Sequence, residues 1–472
     1  MFKAGNKNDL LLLIRSGEPM TLRQQLYLTV QLSIPSILAQ LSSIAMQYID
    51  ASMVGSLGAS ASASIGLVST TTWLFMGLCS SASTGFAVQV AHLLGAKDIA
   101  GARAVLRQAL AVALAFSLVL ATAGACISGV LPHWLGGNAD ITGDASIYFL
   151  IFVLSMPVFQ LNVLASAMLR SSGNMTTPSS LNILMCILDV IFNYFLIFPT
   201  REVHLLGNVL TMPGAGLGVM GAALGTALAM VCTASLMLYS LCVRSPELSL
   251  FRRDERFRLT SSCLRNALRI GLPMGCERVV MCGAQIMTTV IVAPLGTIAI
   301  AANAFGITAE SLCYMPGYGV SDAATTLVGQ SLGAGRRDLT WRFARITVFM
   351  GIGVMTVMGI AMYVAAPLMI GIMTPDADVL DLAVRALRIE AFAEPMFAAS
   401  IVCYGVFVGA GDTLKPAIMN LASMWGVRLT LAALLAPTMG LLGVWLAMCV
   451  ELCFRGVIFL IRLYKGHWMK RM

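Results

Sequence analysis

Apolar runs of about 20 residues recur along the whole of this 472-residue sequence, separated by short polar segments. A run of that length forms a helix that crosses a bilayer, whereas a membrane β-barrel is encoded by shorter segments of alternating polarity. Charged residues make up 11% of the chain, against about 25% in a typical soluble domain. We therefore predict an all-α membrane protein that contacts lipids and has no nucleic-acid partner, in spite of its net charge of +8.

Twelve apolar runs can be delimited. They cover residues 27–51, 62–88, 105–130, 147–169, 178–199, 217–243, 266–292, 297–328, 342–368, 385–409, 415–436 and 440–463. The loops between them alternate in their content of Lys and Arg: the 92–104 loop carries Lys97 and Arg103, whereas the 131–146 loop carries neither residue type. By the positive-inside rule, this alternation predicts twelve transmembrane helices with both termini in the cytoplasm.

The two halves of the sequence repeat each other. "VAHLLGAKD" at 90–98 matches "VGQSLGAGR" at 328–336, and "SSGNMTTP" at 171–178 matches "GAGDTLKP" at 409–416, both at an offset of 238 residues. The offset falls to 222 after the fifth run, so the first half has 16 extra residues in its last outer loop. Because each half has six runs, we predict two six-helix lobes related by a pseudo-two-fold axis along the membrane normal, with a central cavity between them.

The repeat predicts five segments. They are a cytoplasmic lead at 1–24, a first lobe at 25–243, an Arg-rich cytoplasmic connector at 244–265, a second lobe at 266–465 and a cytoplasmic tail at 466–472. Four prolines inside the apolar runs are expected to kink or loosen their helices. They are Pro35, Pro157, Pro273 and Pro395.

Several motifs occur in a fixed order along the two halves of the sequence. They are Pro35…Asp50-x-x-Met53-Val54-Gly55-x-x-Gly58, "VGQSLGAGR", "LDVIFNYFLIF" after Pro178, "GVMGAALGTA", "AGDTLKPA" and "GVWLA". In order, spacing and duplication they resemble the multidrug and toxic compound extrusion (MATE) family. The resemblance implies a V-shaped, cofactor-free, monomeric transporter of the bacterial inner membrane. It also implies export of organic cations, driven by inward movement of Na⁺ or H⁺.

Polar side chains inside the first lobe are candidates for the coupling site. Asp50 is the only charged residue of the first two runs, and a carboxylate in the bilayer is costly unless it faces a cavity or a partner. Asp189 and Asn193 are four residues apart and so share a helix face, and Thr226 lies in the sixth run. Their oxygen atoms suit Na⁺, and the carboxylates can instead carry a proton. The resemblance implies a cation site at Asp50, Asn193 and Thr226, whereas Asp189 stands where the family more often has Asn.

The second half contains its own intramembrane acids, namely Glu277, Glu310, Glu390 and Glu394. We predict Glu277, Glu310 and Glu394 as candidates for coupling or for attracting substrate. One bacterial branch of the family has a Glu on the seventh helix and an Asp on the tenth, at the positions of Met281 and Phe397 here. Glu277 and Glu394 are displaced from those positions in the same direction, so they can still meet.

The most concrete hypothesis is that the protein is a secondary active antiporter that exports amphipathic organic cations in exchange for Na⁺ or H⁺. The alternative is a flippase for lipid-linked precursors, which needs a cationic cavity for pyrophosphate. We rank it second because the candidate cavity residues are mainly acidic. An enzyme is disfavoured, since the twelve cysteines and four histidines form no C-x-x-C pair, catalytic constellation or metal motif.

Overall fold

The computed structural model describes residues 7–205, 208–250 and 258–469. The helices of the first half are α1 (Lys7–Ser16), α2 (Leu22–Gly55), α3 (Ala59–Gly95), α4 (Ile99–Ile127), α5 (Leu131–Trp134), α6 (Ala139–Leu154), α7 (Met156–Ser171), α8 (Thr176–Ile197) and α9 (Gly218–Tyr239). Those of the second half are α10 (Ser261–Val292), α11 (Thr297–Gly333), α12 (Arg337–Gly371), α13 (Ala377–Ala391), α14 (Glu394–Gly409), α15 (Leu414–Leu421), α16 (Thr430–Met439) and α17 (Leu441–Lys465).

Within the described residues, the helices form twelve membrane spans, six in each half, when each bent pair is counted as one span. This number confirms the predicted all-α, two-lobe architecture. Ten are continuous helical segments long and apolar enough to cross a bilayer. The other two are bent pairs, α6 with α7 at 47° and α13 with α14 at 58°. Pro157 and Pro395 lie in the first turn of the second helix of each pair. Proline is tolerated there because a backbone N–H at that position has no partner within the helix. By contrast, α2 and α10 continue through Pro35 and Pro273.

The pseudo-two-fold axis is visible where α3 crosses α11. A Cβ added to Gly95 would lie 2.1 Å from the carbonyl oxygen of Gln330, and one added to Gly333 would lie 2.1 Å from that of His92. Gly95 and Gly333 are repeat partners, as are His92 and Gln330, so the same contact occurs twice in reciprocal form. Only glycine allows the two backbones to approach this closely.

Each lobe has apolar cores of its own. In the first lobe, Phe149 packs between α3 and α4 with its ring edge-on to Phe75. In the second lobe, Trp445 packs against α11, where Gly306 leaves room for the indole ring. Each lobe therefore has hydrophobic cores of its own, and further buried apolar clusters lie where the lobes meet along α2, α3, α10 and α11.

The 16 extra residues of the first half form a β-hairpin between α8 and α9. Its strands are β1 (Pro199–Leu205) and β2 (Asn208–Ala215), and they pair antiparallel. The corresponding connection in the second half, from α16 to α17, is a single residue, Gly440, in a backbone conformation with φ +62°. The hairpin is the one departure from an all-α chain within the described residues.

The predicted cytoplasmic lead contains a helix that packs on both halves of the protein. Leu10 and Ile14 of α1 are buried in a cluster that includes residues of α2, α11 and α12. The Arg15 side chain is ion-paired with Glu247 in the connector and donates to the Gln330 side chain at 3.3 Å. Three of the connector's arginines lie outside the described residues: Arg252, Arg253 and Arg256.

Candidate functional site

Three of the predicted first-lobe residues meet at one point between α2 and α8. The Asn193 side-chain amide donates to Asp50 Oδ1 at 2.9 Å and to Asp189 Oδ2 at 3.1 Å. The spacing of four residues places Asp189 and Asn193 on the face of α8 that is turned toward Asp50. Asp50 and Asp189 are also within hydrogen-bonding reach of each other. Asp189 and Asn193 are fully buried, whereas Asp50 is half-buried near the end of α2.

The fourth predicted residue, Thr226, reaches the same point from α9. It lies within hydrogen-bonding reach of Asp189, and its hydroxyl donates to the Ala222 carbonyl oxygen at 3.2 Å. The helices approach closely because Gly225 has no side chain: a Cβ there would lie 2.0 Å from Asn193 Oδ1. The structure thus brings together all four residues that the sequence suggested.

Two oxygen atoms of this site are buried without a hydrogen-bond partner, Asp189 Oδ1 and Asn193 Oδ1. A buried acceptor left unpaired is costly, so an occupant that contacts it stabilises the site. Carboxylate, amide and hydroxyl oxygens are the donors that a small hard cation prefers. The residues therefore fit Na⁺, and a proton shared by the two carboxylates would also reduce their repulsion.

Two of the predicted second-lobe residues, Glu310 and Glu394, are buried in the same part of the second lobe. A third glutamate, Glu390, is buried beside them. The exposed fractions are 6% for Glu310 and 0% for both Glu390 and Glu394. Glu394 lies close to the Cys313 thiol. None of the four carboxylate oxygens of Glu390 and Glu394 has a partner that meets the distance and angle of a hydrogen bond among the described residues. The sequence analysis assigned no role to Glu390. The signal that could have suggested one is the spacing of Glu390 and Glu394, which are four residues apart in one apolar run.

These glutamates do not form a metal centre. Across residues 7–205, 208–250 and 258–469, no group of three or more His, Cys, Asp or Glu side chains is arranged to hold a metal ion. Arg428 is the nearby cation, and it pairs with Glu451 at 2.7 Å. Arg455 pairs with the other oxygen of Glu451 at 2.6 Å, so the buried Glu451 carboxylate is held between two arginines.

A central cavity of about 560 Å³ lies between the lobes, within the size range of sites for drug-sized molecules. Five methionines line it: Met46, Met76, Met185, Met274 and Met281. Methionine is flexible and polarisable, which suits a wall that must adapt to different solutes. Its charged lining residues are Arg170, Glu277, Arg278, Asp322 and Arg455.

The expectation of a mainly acidic cavity is wrong. Of the acids predicted as site residues, Glu277 is the one among the described residues that lines this cavity. Asp50 is half-buried near the end of α2, and Asp189, Glu310 and Glu394 are buried within the lobes. Glu277 accepts hydrogen bonds from Tyr404 Oη and Asn420 Nδ2, both at 2.6 Å. Glu394 has a different environment beside Cys313, so the structure does not bring Glu277 and Glu394 together.

Comparison with known proteins finds similarity in both halves of the chain. A family model described as MatE matches residues 35–195 and again residues 273–434. The second match begins 238 residues after the first, which is the offset of the internal repeat. Together the two matches cover more than half of the sequence.

The chain belongs to the MatE family.

Curated relatives align with the MatE chain over most of its length. A protein named "Probable multidrug resistance protein NorM" from Thermotoga maritima is 26% identical over 452 residues, which are 94% of this chain and 93% of the relative. A protein of the same name from Pseudomonas aeruginosa is 28% identical over 432 residues, or 88% of this chain and 84% of the relative.

Solved structures show the same fold. A MOP superfamily transporter from Pyrococcus furiosus, described as having a binding pocket of reverse polarity, superposes with a TM-score of 0.87 at 18% identity, over 98% of this chain and 99% of that one. An outward-facing multidrug resistance MATE family transporter gives a TM-score of 0.86 at 20% identity, over 97% and 98%. Members of the MatE family are transporters, so this chain is a multi-pass membrane transporter and not an enzyme.

Proposed function

We propose that this MatE transporter is a secondary active antiporter that exports amphipathic organic cations in exchange for Na⁺ or H⁺. The observation that carries the proposal is the meeting of Asp50 and Asp189 around Asn193. No Lys or Arg occurs in the first, second, fifth or sixth predicted spans to neutralise these acids. Two carboxylates in contact inside an apolar lobe repel each other, and a bound Na⁺ or a shared proton relieves that repulsion.

Helix α2 connects this site to the other lobe. Two residues before Asp50, the Tyr48 hydroxyl donates to the Thr308 carbonyl oxygen of α11 at 2.8 Å. Nearer the start of α2, Ser36 donates to Asp322 of α11 at 2.7 Å. A cation that neutralises Asp50 therefore acts on a helix that holds the two lobes together. Coupling requires that the cation bind one arrangement of this helix better than another.

The buried glutamates of the second lobe are a second candidate coupling site. Glu310 and Glu394 interact electrostatically, and Glu390 lies close enough to interact with both. We propose that they carry protons if they take part in coupling, because the buried oxygens of Glu390 and Glu394 have no hydrogen-bond partner among the described residues and a proton removes the cost of burying a charge. We assign Glu277 to the cavity, where it faces substrate.

The test of the proposal is the substitution Asp50→Asn, which keeps the size of the side chain and removes its charge. Uptake of a cationic dye into inside-out vesicles should be measured with a Na⁺ gradient and a pH gradient applied separately. We expect Asp50→Asn to abolish uptake under the gradient that drives the wild type, while the purified protein remains monodisperse. Asp144→Asn, at an exposed position of α6, is the matched control and should retain uptake.

Dye uptake at the wild-type rate by Asp50→Asn, at equal expression, would show that the coupling site lies elsewhere. The second-lobe variants Glu310→Gln and Glu394→Gln would then be the next to compare. The flippase alternative is not favoured, since the relatives named above are multidrug resistance proteins. It would gain support if the protein restored surface-polymer synthesis in a flippase-deficient strain without conferring resistance to any organic cation.

Further features of the proposal follow from the family and from the distribution of charge. We propose a monomer in the bacterial inner membrane, with both termini in the cytoplasm. The limits of the lobes, 25–243 and 266–465, and of the connector at 244–265 stay predictions.

A further inference from the structure

An apolar groove lies on the outer surface of the first lobe, away from the central cavity. Helix α7 packs against both α4 and α9, and its half-buried Leu161 forms the floor of the groove. The walls come from α4 and from the end of α9 with the residues that follow it: Leu110, Ala111, Leu114, Leu238, Cys242 and Val243. From Arg107 to Leu114 the groove runs about 10 Å along α4, at the usual rise of an α-helix.

The equivalent place in the second lobe is closed. Ala111 and Phe349 are repeat partners, so a phenyl ring stands on α12 where α4 has only a methyl group. Leu161 and Ala399 are also repeat partners, and Ala399 is fully buried, whereas Leu161 is reached from the surface. The groove is therefore a feature of the first lobe, where the small side chain at position 111 leaves space between the helices.

Positive charge lies at one end of the groove. Arg107 is the charged residue that lines it within the described part of the chain, and the exposed Arg244 directly follows the lining residue Val243. The connector begins at this point, and over residues 244–265 it carries six arginines against three acids. In the proposed topology, this basic end of the groove lies in the cytoplasmic leaflet.

The connector is attached at the same end of the groove. The Leu250 backbone N–H donates to the Cys242 carbonyl oxygen at 3.0 Å, and the Thr260 backbone N–H donates to the Gln108 side chain at 2.8 Å. Cys242 lines the groove, and Gln108 is the residue after Arg107. A molecule bound at the basic end therefore lies beside the segment that joins the two lobes.

This combination of an apolar wall and basic end suits a lipid with a negative headgroup. Basic pockets between membrane helices on the cytoplasmic side bind anionic headgroups, and the fork of an arginine matches the oxygens of a phosphate. A guanidinium has five N–H donors, so Arg107 can bind a phosphate and keep its contacts with the protein. A zwitterionic lipid gains less, because its own cation compensates the phosphate.

We propose that the groove binds one anionic phospholipid of the cytoplasmic leaflet, with an acyl chain against Leu161 and the phosphate at Arg107 and Arg244. The inference concerns neither the transported solute nor the coupling ion. It uses the proposed topology only to choose the leaflet.

Dioleoylphosphatidylglycerol and dioleoylphosphatidylcholine are suitable probes, since they share their acyl chains and differ in the charge of the headgroup. Each lipid should be titrated into the purified, detergent-solubilised full chain, and the bound fraction followed by native mass spectrometry. We expect the wild type to retain one phosphatidylglycerol molecule under conditions that remove phosphatidylcholine.

Filling the groove tests its apolar part. Ala111→Phe copies the second half of the chain and should weaken phosphatidylglycerol binding about tenfold, which corresponds to about 1.4 kcal/mol. Ala123→Phe makes the same change at an exposed position of α4 that does not line the groove, and it should leave binding unchanged.

Removing charge tests the basic end. Arg107→Gln and Arg244→Gln should each weaken binding of phosphatidylglycerol and leave that of phosphatidylcholine unchanged. The control is Arg345→Gln, at the exposed repeat partner of Arg107 on α12, which loses the same charge outside the groove and should bind as the wild type does. If Arg107→Gln does not fold, Arg244→Gln and Ala111→Phe decide the matter.

Equal retention of the two lipids by the wild type would overturn the inference, as would full retention of phosphatidylglycerol by Ala111→Phe. A dimer in the same spectra that is lost in Ala111→Phe would assign the groove to a second copy of the chain instead. Dye uptake by Asp50→Asn tests the proposed antiport separately, so failure of one proposal leaves the other standing.

Discussion

At the scale of single residues, equivalent positions in the two halves have acquired different chemistry. Asp50 and Thr288 are repeat partners, as are Asp189 and Val427. In the first lobe the two carboxylates share the Asn193 amide, whereas Thr288 merely donates to the Ala284 carbonyl oxygen of its own helix at 3.0 Å. A pair of acids needed only to hold the fold would be expected in both halves, so the difference favours a coupling role in the first.

Gly225 gives a prediction at this scale. We expect Gly225→Ala to displace the Asn193 side chain, because the added Cβ would lie 2.0 Å from Asn193 Oδ1. The substitution should lower the free energy of unfolding by about 1–3 kcal/mol, as overpacking does, and reduce gradient-driven uptake. Melting in detergent and vesicle uptake measure the two effects. The control is Gly66→Ala in α3, where an added Cβ meets nothing within 4 Å; equal behaviour of the two variants would contradict the prediction.

At the scale of helices, the two halves differ most in the eleventh span. The fifth span is the regular helix α8, but its counterpart contains a π-helical segment, Ala422–Leu429, between α15 and α16. Arg428 lies in this segment and reaches the buried Glu451 carboxylate of α17. π-helical segments often occur at functional positions, and here the segment supplies a cation close to the second-lobe glutamates.

Arg428 therefore provides a prediction at the scale of the element. Arg428→Met should destabilise the protein by about 1.5–3 kcal/mol, because it removes a charge-assisted hydrogen bond from the buried Glu451, which keeps Arg455 as its one cation. Arg385→Met is the control, since its ion pair with Asp381 is mostly exposed and should contribute less than about 1 kcal/mol. Detergent melting curves compare the two variants. Adding Glu451→Gln to Arg428→Met should deepen the loss, because it leaves the buried Arg455 without a carboxylate, and a recovery of stability would argue against an electrostatic cause.

At the scale of the whole molecule, the arrangement is a two-fold pair of lobes around a shared cavity. The reciprocal crossing of α3 and α11 at Gly95 and Gly333 places the axis between the lobes. The parallel repeat and the alternation of basic loops together orient that axis along the membrane normal. In the proposed topology, the loops rich in Lys and Arg lie on the cytoplasmic side, together with α1.

Membrane orientation supplies the prediction at this scale. Single cysteines placed at Asp140 and at Asp98, both exposed, in a background without the twelve native cysteines should react on opposite faces of the membrane. We expect an impermeant thiol reagent applied outside the cell to label position 140 and not position 98. Arg253, in the connector and outside the described residues, should also resist external labelling. Labelling of position 253 from outside would contradict the proposed topology.

Several features of this protein were determined by local sequence properties. The number of spans followed from apolar length, because an exposed peptide group in lipid must be satisfied within a helix. The bends before Pro157 and Pro395 followed from the missing N–H of proline. The meeting of Asp189 with Asn193 followed from the spacing of four residues, and the place of the β-hairpin followed from the change of repeat offset.

Other features depended on which helices meet, and periodicity along one chain does not encode that. The sequence allowed Glu277 to meet Glu394, yet Glu277 faces the cavity and accepts hydrogen bonds from Tyr404 of α14 and Asn420 of α15. The cavity is not mainly acidic because Asp189, Glu310 and Glu394 are buried within the lobes, while arginines such as Arg278 extend into the space between them. A sequence records which charges a membrane helix carries; only the packed structure decides which of them neutralise one another and which remain free to bind a solute.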